Sequence, residues 1–391
     1  MSHKQKQQKR KICFPIMNRV HYARQIYLLD LLRRDPALKL QIVVGGSVLL
    51  EKYGDRHASA IKESGFDIGD ELYNVIDGGT HIAMAKTAGL TALEFANSLY
   101  TLDSDIVLIR GDRFEQLAIA MVAAYMNKTI AHIEGGDVTG TIDESVRHAI
   151  TKLAHIHFVT NEPARRRVVQ MGEDPSMVFN VGSPDVEFVA RTSKGISLSF
   201  LKQRGTGHNI DMHKPYLMVM FHPVTTDANN RTYAEILLET IDRLNMQTIW
   251  FWPNNDAGTN EIAKAIRVAR ELGNIKHDKI KFVTDVSPEE FSALLSRAAC
   301  MVGNSSAGFK ECSYVGVPVV NVGSRQQGRL RGAHIIDVPC DHAIITKAIK
   351  QQLAHGHYPS SDLYYKPNSS KNIVEILKTA PLYSQKIFYE A

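Results

Sequence analysis

Residues 105–136 read DIVLIRGDRFEQLAIAMVAAYMNKTIAHIEGG. Two short apolar runs, at 106–110 and 129–133, flank a longer apolar segment at 114–126. Short continuous runs rich in Ile, Val and Leu are typical of strands that are buried on both faces of a parallel sheet. The longer segment between them predicts a helix, because it exceeds the usual length of a strand. The stretch therefore predicts a β-α-β unit and an α/β fold.

The same alternation continues on both sides of this unit. Further strands are predicted by the runs KICFPI, LKLQIVVGG, ELYNVI, IHFVTN, VFNVGSP, YLMVMF, TIWFWPN, KIKFVTD, ACMVGNSS and PVVNVG. The alternation is interrupted at residues 185–213, which mix glycine, polar and basic residues. We predict two Rossmann-like, doubly wound parallel-sheet domains, at residues 1–185 and 186–370, with a cleft between them. Residues 371–391 predict a C-terminal helix that packs back on the first domain.

Composition and charge narrow the class of protein. The chain has 391 residues, of which 44% are apolar and 22% are charged, and its formal net charge is +5. These values are ordinary for a globular protein. The first residues, MSHKQKQQKRK, read as a solvated leader, since no apolar region of signal-peptide type follows them. No basic stripe with interleaved aromatic residues predicts a nucleic-acid partner.

Two further features bear on location. No run approaches the roughly 20 apolar residues that span a bilayer, so no membrane contact is predicted. The cysteines Cys13, Cys300, Cys312 and Cys340 are scattered and form no CxxC pair. Three of them lie in or beside apolar runs, as small core residues do. This pattern fits a reducing cytoplasm and argues against a cysteine zinc site.

Acidic residues follow two of the predicted strands. Asp112 comes directly after DIVLIRG, Glu134 directly after TIAHI, and Asp143 opens the next helix. Ligands of open α/β sheets bind at the carboxyl ends of the strands, so these acids are expected to converge. Carboxylates in one partly desolvated cleft have their pKa values pushed apart, which suits proton transfer. Instead of taking part in proton transfer, Asp143 could serve only to stabilise the first helical turn by its negative charge. Glu115 is expected to be a solvated helix residue.

Polar residues also follow the strands of the second half. His222 ends YLMVMF and can donate to a phosphate or protonate a leaving group. Ser305 and Ser306 lead from ACMVG into a predicted helix whose N-terminal N–H groups suit a phosphate. Glu311 can accept hydrogens from ribose hydroxyls, or it can be an exposed helix charge. Arg325, with Arg329 and Arg331, supplies guanidinium groups that suit phosphate oxygens, unless the loop is merely solvated.

Several common motifs are absent. No GxGxxG follows the first strand and no GxxxxGK[ST] occurs, so neither a dinucleotide fold nor a P-loop is predicted. GNSSAG lies between a predicted strand and a predicted helix, as the nucleophile elbow GxSxG does. Ala307 stands where that motif has its last glycine, so a serine hydrolase is not predicted. The His pairs at 155/157 and 355/357 lack a supporting carboxylate pattern, so no metal site is predicted.

Six ordered motifs resemble one enzyme family. They are GDRFEQLA, HIEGGDVTGTIDESVRHAITKLAH, FHPVTTD, PNNDAG, GNSSAGFKE and GVPVVNVGSRQQGR. Together they resemble the hydrolysing UDP-N-acetylglucosamine 2-epimerases of sialic-acid synthesis, from MNRVHYAR to about Val338. The resemblance implies a GT-B fold with a UDP-sugar in the cleft. It implies conversion of UDP-N-acetylglucosamine and water into UDP and N-acetylmannosamine, through elimination to a glycal and hydration, without a cofactor.

The resemblance also implies roles for residues of this chain. The essential acids correspond to Asp112, Glu134 and Asp143, and His222 belongs with both the catalytic and the substrate-binding groups. The phosphate, sugar and nucleotide contacts correspond to Arg19, Arg113, His222, Ser305, Ser306, Glu311 and Arg325. The first loop departs from the family pattern, because His21 replaces an acid in MNRVHYAR. A homodimer or homotetramer is a further expectation.

The sequence leaves alternatives open. Relatives that act on UDP-linked diacetamido-trideoxy sugars, on the way to legionaminic acid, share these motifs. A non-hydrolysing epimerase needs the same acids, whereas a GT-B glycosyltransferase can use one base. A catalytically inactive sugar-nucleotide sensor would not need all the acids.

Overall fold

The computed structural model describes residues 9–50, 56–254, 256–271 and 279–390. Most of the basic leader, residues 1–8, and Asn255 of the motif PNNDAG lie outside the described residues. Within them the chain forms two seven-stranded sheets, each made from one half of the sequence.

The first sheet is wholly parallel, with the strand order β3-β2-β1-β4-β5-β6-β7. Its strands are β1 (Arg10–Ile16), β2 (Leu38–Gly45), β3 (Ile68–Leu72), β4 (Ile106–Arg110), β5 (Thr129–Ile133), β6 (Ile156–Val159) and β7 (Val178–Asn180). Side chains of β1 alternate between two hydrophobic clusters, with Ile12 and Phe14 on one face and Cys13 on the other. The sheet is therefore covered on both faces, as expected for strands that read as continuous apolar runs.

The second sheet has the order β14-β13-β12-β9-β10-β11-β8 and is parallel except for β8, which runs antiparallel to β11. Its strands are β8 (Thr206–Gly207), β9 (Leu217–Met220), β10 (Thr248–Phe251), β11 (Ile280–Val283), β12 (Cys300–Gly303), β13 (Val319–Val322) and β14 (Ile335–Val338). Leu217 and Val219 pack on one face and Met218 on the other.

Helices connect the strands. They are α1 (Arg19–Ala23), α2 (Ile26–Arg34), α3 (Arg56–Glu63), α4 (His81–Leu102), α5 (Phe114–Tyr125), α6 (Ile142–Leu153), α7 (Glu162–Gln170), α8 (Pro184–Thr192), α9 (Asn230–Leu244), α10 (Thr259–Glu271), α11 (Pro288–Arg297), α12 (Glu311–Val315), α13 (His342–His355) and α14 (Ser369–Thr379). None of the helices in the described ranges combines the length and the apolar character needed to cross a membrane.

The predicted fold class is confirmed, because both halves are doubly wound α/β units. The strand predicted at residues 71–76 is displaced: β3 covers Ile68–Leu72, overlaps the prediction only at residues 71–72, and pairs with β2 across a register shift between Ile42 and Val43. Its sequence IGDEL carries little apolar signal, because β3 is a partly exposed edge strand. Strands β8 and β14 were also missed; β8 is a two-residue edge strand, and β14 is only partly buried.

The chain leaves the first half through α8, which contains residue 185, and enters the second half through the connection that follows this helix. The helix α14 ends at Thr379 and packs against α2. Its Ile373, Val374 and Leu377 join the hydrophobic cluster of the first sheet. Side chains at the carboxyl ends of the two sheets contact each other across the cleft, which is where ligands of open α/β sheets bind.

Candidate active site

Glu134 directly follows β5 in an unusual backbone conformation. Its φ is +74°, in the left-handed region that non-glycine residues seldom adopt. Its N–H donates to the carbonyl of Phe158 at 2.9 Å, which anchors the turn to β6. The next turn depends on Gly136, where a Cβ would overlap the carbonyl oxygen of Ala164. The side chain of Glu134 is buried, with Oε1 2.5 Å from Nζ of Lys310 and Oε2 3.4 Å from Nη2 of Arg110.

Asp112 lies at the corresponding end of β4 and is partly exposed. The turn before it is held by His132, whose Nε2 contacts the carbonyl oxygen of Gly111 at 2.8 Å. Arg147 of α6 is buried, pairs with the Asp112 carboxylate and donates to the carbonyl of Asp137 at 2.7 Å. Burial alone would raise the pKa of Asp112, but the Arg147 guanidinium outweighs it and lowers this pKa well below its usual value. Asp112 is therefore a carboxylate throughout the neutral range.

Asp143 is the second residue of α6 and faces Arg325 of the other half, with Nη2 3.8 Å from Oδ2. Burial and the negative charge of Asp112 raise the pKa of Asp143 to about 6. The two acids therefore have pKa values displaced in opposite directions, as carboxylates in one cleft do. Thr141 precedes the helix but makes no side-chain cap, and the Glu144 carboxylate instead accepts the N–H of Thr139 at 2.5 Å.

His222 follows β9 on the opposite side of the cleft. The N–H of His222 donates to Oδ1 of Asn304, and Nδ2 of Asn304 donates to the carbonyl of His222, each at 2.8 Å. The N–H of Asn254 donates to Nδ1 of His222 at 3.2 Å, so the ring proton is on Nε2. Burial, and then Arg325, lower the pKa of His222 to about 3. The side chain is therefore a neutral hydrogen-bond donor at neutral pH and not an imidazolium acid.

Ser305 and Ser306 form a 3₁₀ turn and not the start of a regular helix. The turn leaves β12 at Gly303, whose φ is +132° and where a Cβ would overlap the carbonyl oxygen of Met220. Ser305 Oγ caps the turn by accepting the N–H of Ala307 at 3.4 Å. The helix that follows, α12, is short and begins at Glu311.

Glu311 is fully buried, so the alternative of an exposed helix charge is wrong. Its Oε1 lies 2.6 Å from Nη1 of Arg24 in the first half. Neither carboxylate oxygen accepts a hydrogen bond of regular geometry from the described residues.

Arg19 and Arg113 both reach from the first half to acids of the second. Arg19 pairs with Asp285, and burial followed by the charge of Arg24 lowers the pKa of Arg19 to about 10. Arg113 lies 2.9 Å from Asp256 and 3.0 Å from Glu115. The expectation that Glu115 is a solvated helix residue is wrong, because its side chain is buried beneath Arg113.

The loop that carries Arg325 meets the loop before α6. The N–H of Gly140 donates to the carbonyl of Arg325 at 3.1 Å, and a Cβ at Gly140 would overlap the carbonyl oxygen of Ser324. Nε of Arg325 is buried and donates to no acceptor among the described residues. Arg329 is also buried and lies 3.3 Å from Asp137, so this loop is not merely solvated.

Sequence reasoning missed a buried ionic cluster that joins the halves. Asp185, at the start of α8, accepts from Gln25 at 2.7 Å and from Lys310 at 2.9 Å, and it also pairs with Arg110. The signals in the sequence were weak: Asp185 opens the helix after β7, Arg110 ends an apolar run, and Lys310 precedes Glu311 in a motif.

The predicted site residues therefore lie on both walls of one cleft. Asp112, Glu134, Asp143, Arg19 and Arg113 are on the first wall, and His222, Ser305, Ser306, Glu311 and Arg325 are on the second. Among the residues that the structure describes, no group of three or more His, Cys, Asp or Glu side chains could hold a metal ion.

Comparison with known proteins shows which family this chain resembles. The family described as UDP-N-acetylglucosamine 2-epimerase matches residues 30–378. A Legionella pneumophila protein, UDP-N,N'-diacetylbacillosamine 2-epimerase (hydrolyzing), is 31% identical and covers 96% of this chain and 97% of its own length. A Neisseria meningitidis UDP-N-acetylglucosamine 2-epimerase is 34% identical over 86% of each chain.

Solved structures show the same fold. The S. aureus MnaA–UDP co-structure has a TM-score of 0.76 and 16% identity, covering 94% of this chain and 96% of that one. A Neisseria meningitidis UDP-GlcNAc 2-epimerase bound to UDP-GlcNAc also has a TM-score of 0.76, at 14% identity, covering 94% and 99%. The match in sequence extends over both walls of the cleft, and the chain belongs to the UDP-N-acetylglucosamine 2-epimerase family.

Proposed function

We propose that this chain is a hydrolysing UDP-N-acetylglucosamine 2-epimerase, which converts UDP-N-acetylglucosamine and water into UDP and N-acetylmannosamine. The observation that carries the proposed epimerisation is the pair of Asp112 and Asp143, whose pKa values are displaced in opposite directions; the proposed hydrolysis rests on the relatives. They share one wall of the cleft with Glu134. The opposite wall carries the Ser305–Ser306 turn and the loop of Arg325, which suit a nucleotide. Relatives from Legionella pneumophila and Campylobacter jejuni, each 31% identical, have names that specify hydrolysis.

The first half-reaction is an elimination. A carboxylate removes the proton from carbon 2, a double bond forms between carbons 1 and 2, and the bond from carbon 1 to the UDP oxygen breaks. The electron pair of that bond leaves on the β-phosphate. The neutral His222 offers its Nε2–H to this phosphate, and Arg19, Arg113 and Arg325 supply positive charge around it. Preorganised donors of this kind stabilise the charge that develops on a leaving group.

The second half-reaction is a hydration of the resulting glycal. Water adds its oxygen to carbon 1, and a carboxylic acid returns a proton to carbon 2 from the opposite face. Asp143 suits proton exchange, because a group with a pKa of about 6 is occupied in both forms near neutrality. Asp112 stays ionised beside Arg147 and keeps Asp143 protonated to higher pH. The overall reaction consumes only water, so the chemistry requires no cofactor.

The second half of the chain is proposed to hold UDP. Ser305 and Ser306 present hydroxyls at the end of β12, and Arg325 has a buried Nε without a partner among the described residues. The two oxygens of Glu311 accept no hydrogen bond there either, which suits two ribose hydroxyls. Arg24 balances the charge of Glu311 when the nucleotide is absent.

A second candidate is the same reaction on a UDP-linked diacetamido-trideoxy sugar. The names of the Legionella pneumophila and Campylobacter jejuni relatives favour it, since both specify N,N'-diacetylbacillosamine. Both sugars present the same hydrogen at carbon 2 and the same leaving group, so the three acids serve either one.

Chromatography of parallel reactions with the two UDP-sugars tests these proposals. Release of UDP with a free 2-epimerised sugar supports the hydrolysing reaction, and the ratio of kcat/KM between the sugars identifies the substrate. A nucleotide-linked epimer would instead assign the chain to the non-hydrolysing reaction. Turnover that requires an added acceptor would indicate a glycosyltransferase, and binding without turnover would indicate a sensor.

We also propose that the partner of this chain is a second copy of itself, as a homodimer or within a homotetramer. The helices α4 and α5 expose large apolar side chains on neighbouring surfaces: Ile82 (66% exposed), Leu93 (67%), Tyr100 (81%), Met121 (42%) and Tyr125 (86%). Two tyrosines and three aliphatic residues amount to roughly 500–700 Å² of surface, close to the ~800 Å² that each partner buries in a standard interface.

Light scattering after gel filtration tests this assembly. Leu93→Asp and Tyr125→Asp should lower the measured mass, from a dimer to a monomer or from a tetramer to a smaller assembly. The control is Ile344→Asp, an apolar residue of α13 that is 44% exposed on the other half. An unchanged mass in the first two variants would exclude the α4–α5 surface.

We place the protein in the cytoplasm, because its four cysteines are free and three of them are buried.

A further inference from the structure

Lys310 is a buried lysine to which the proposed reaction gives no role. It belongs to the second half, between the turn of Ser306–Gly308 and α12 (Glu311–Val315), and its side chain is 1% exposed. A buried ammonium is costly unless carboxylates compensate it. Its partners therefore indicate what the side chain does.

Both partners of Lys310 lie in the first half of the chain. Nζ is 2.5 Å from Oε1 of Glu134 and 2.9 Å from Oδ2 of Asp185. Asp185 has further partners in Arg110 and Gln25. Glu134 depends more strongly on Lys310, because Arg110 is 3.4 Å from its other oxygen, beyond the usual length of a hydrogen bond.

The backbone of Lys310 is fixed by the proposed nucleotide turn. Its N–H donates to the carbonyl of Ser306 at 3.1 Å, and Oγ of Ser313 donates to its carbonyl at 2.6 Å. Lys310 directly precedes Glu311, the proposed ribose ligand. The position of its ammonium group is therefore tied to the groups proposed to bind UDP.

We propose that Lys310 is a positioning residue for Glu134: its ammonium holds the carboxylate in one orientation and couples that orientation to the proposed nucleotide turn of the opposite half. The inference rests on the proposed function, since it treats Glu134 as one of the reacting acids. It predicts that the acid is correctly placed only when the two walls of the cleft are in contact.

The charges of the cluster show what loss of Lys310 would do. Three cations, Arg24, Arg110 and Lys310, face three carboxylates, Glu134, Asp185 and Glu311. Without the ammonium the cluster has one excess negative charge, and the Glu134 carboxylate loses the donor in contact with its Oε1.

Lys310→Met tests the proposal, because it keeps most of the side-chain volume and removes the charge. We expect kcat to fall by at least ~10-fold, with a smaller change in KM, since a misplaced acid affects the chemical step. A general structural defect would instead alter kcat and KM together. Lys310→Arg, which keeps the charge, should retain a kcat well above that of Lys310→Met. Lys281→Met is the matched control, as Lys281 is a buried lysine of β11 in the same half.

Three results would overturn the proposal. The first is a wild-type kcat in Lys310→Met, the second is a fall in kcat equal to that of Lys281→Met, and the third is a kcat in Lys310→Arg as low as in Lys310→Met. If Lys310→Met does not fold, the arginine variant decides: a kcat near that of the wild type supports the proposal, and a loss of at least ~10-fold contradicts it.

A stability measurement separates this proposal from the proposed function. The melting temperatures of Lys310→Met, Glu134→Gln and the double variant should be strongly non-additive, because each single change removes one member of a buried ion pair and leaves the charge of the other less well compensated. Additive changes would overturn the Lys310–Glu134 pairing even if the wild type is an active epimerase. A wild type without activity on either UDP-sugar would refute the proposed function and leave this pairing intact.

Discussion

Replacement of Asp143 by asparagine should stabilise the protein at neutral pH while removing most of its activity. Asparagine has the shape of a protonated aspartic acid but cannot exchange a proton. Asp143 lies near the start of α6, faces Arg325 and is close enough to Asp112 for that charge to raise its pKa. The substitution therefore removes a negative charge from a place where the folded protein disfavours it.

The magnitude follows from the displaced pKa. A change from 3.8 to about 6 corresponds to an upper limit of about 3 kcal/mol. The side chain is 31% exposed, and a negative charge in the first helical turn is itself favourable, so we expect a net gain of about 1 kcal/mol. For a chain of this length that gain raises Tm by about 1–2 °C.

The pH dependence has a defined sign. The folded protein keeps the Asp143 proton up to about pH 6, whereas the unfolded chain loses it near 3.8. The folded state thus binds more protons in this window, and the stability contributed by Asp143 falls as the pH rises through it. Asp143→Asn should therefore melt above the wild type at pH 7.5, and the difference should disappear near pH 4.

Calorimetry at the two pH values and turnover measured on the same preparation provide the assay. Turnover should fall by at least ~10²-fold, the usual scale for losing a positioned acid or base. Glu144→Gln is the control, since it removes a neighbouring carboxylate from the same helical turn. A fully active Asp143→Asn enzyme, or one that melts below the wild type at pH 7.5, would show that the charge serves only the first turn of α6.

The remaining predictions concern other residues of the cleft. Asp112→Asn and Glu134→Gln should each lower kcat by at least ~10²-fold with little change in UDP affinity by titration calorimetry; a near-normal rate with a native circular-dichroism spectrum would remove that residue from the proton-transfer site. Glu311→Ala should weaken UDP binding by roughly 1.5–3 kcal/mol, and unchanged affinity would leave Glu311 as the partner of Arg24 alone. His222→Gln should lower kcat without changing the shape of the pH–rate profile, because the pKa of His222 is about 3; loss of a limb near neutrality would contradict its role as a neutral donor. Gly140→Ala should lower both Tm and kcat, because its Cβ would separate the loops from the two halves, and a wild-type Tm would show that the loops can give way.

The fold could be predicted because its signals are local. The central strands of both sheets are continuous apolar runs, such as TIAHI in β5, and their burial on both faces is what that pattern indicates. The edge strands β3, β8 and β14 could not be placed correctly, since they are short or only partly buried and have little apolar signal.

The place of several site residues in the fold could also be predicted from local signals. Asp112, Glu134 and His222 follow strands, and the strand-end rule brings them to one cleft. The environment of each was not predictable. Glu115 reads as a surface helix residue, yet its side chain is buried and pairs with Arg113.

The contacts across the cleft had no local signal at all. Lys310 and Glu134 are 176 positions apart and belong to different sheets. Nothing in the spacing of either motif indicates that one side chain reaches the other. Only the arrangement of the two halves shows that Lys310, beside the proposed nucleotide turn, donates a hydrogen bond to Glu134.

Proton NMR of the reaction with UDP-N-acetylglucosamine in heavy water tests the central claim most directly. Elimination and hydration predict UDP and free N-acetylmannosamine with deuterium at carbon 2, because the proton lost from the sugar is replaced from solvent. Epimerised sugar still linked to UDP would contradict hydrolysis. Free sugar that retains the original hydrogen at carbon 2 would contradict proton transfer by the three acids.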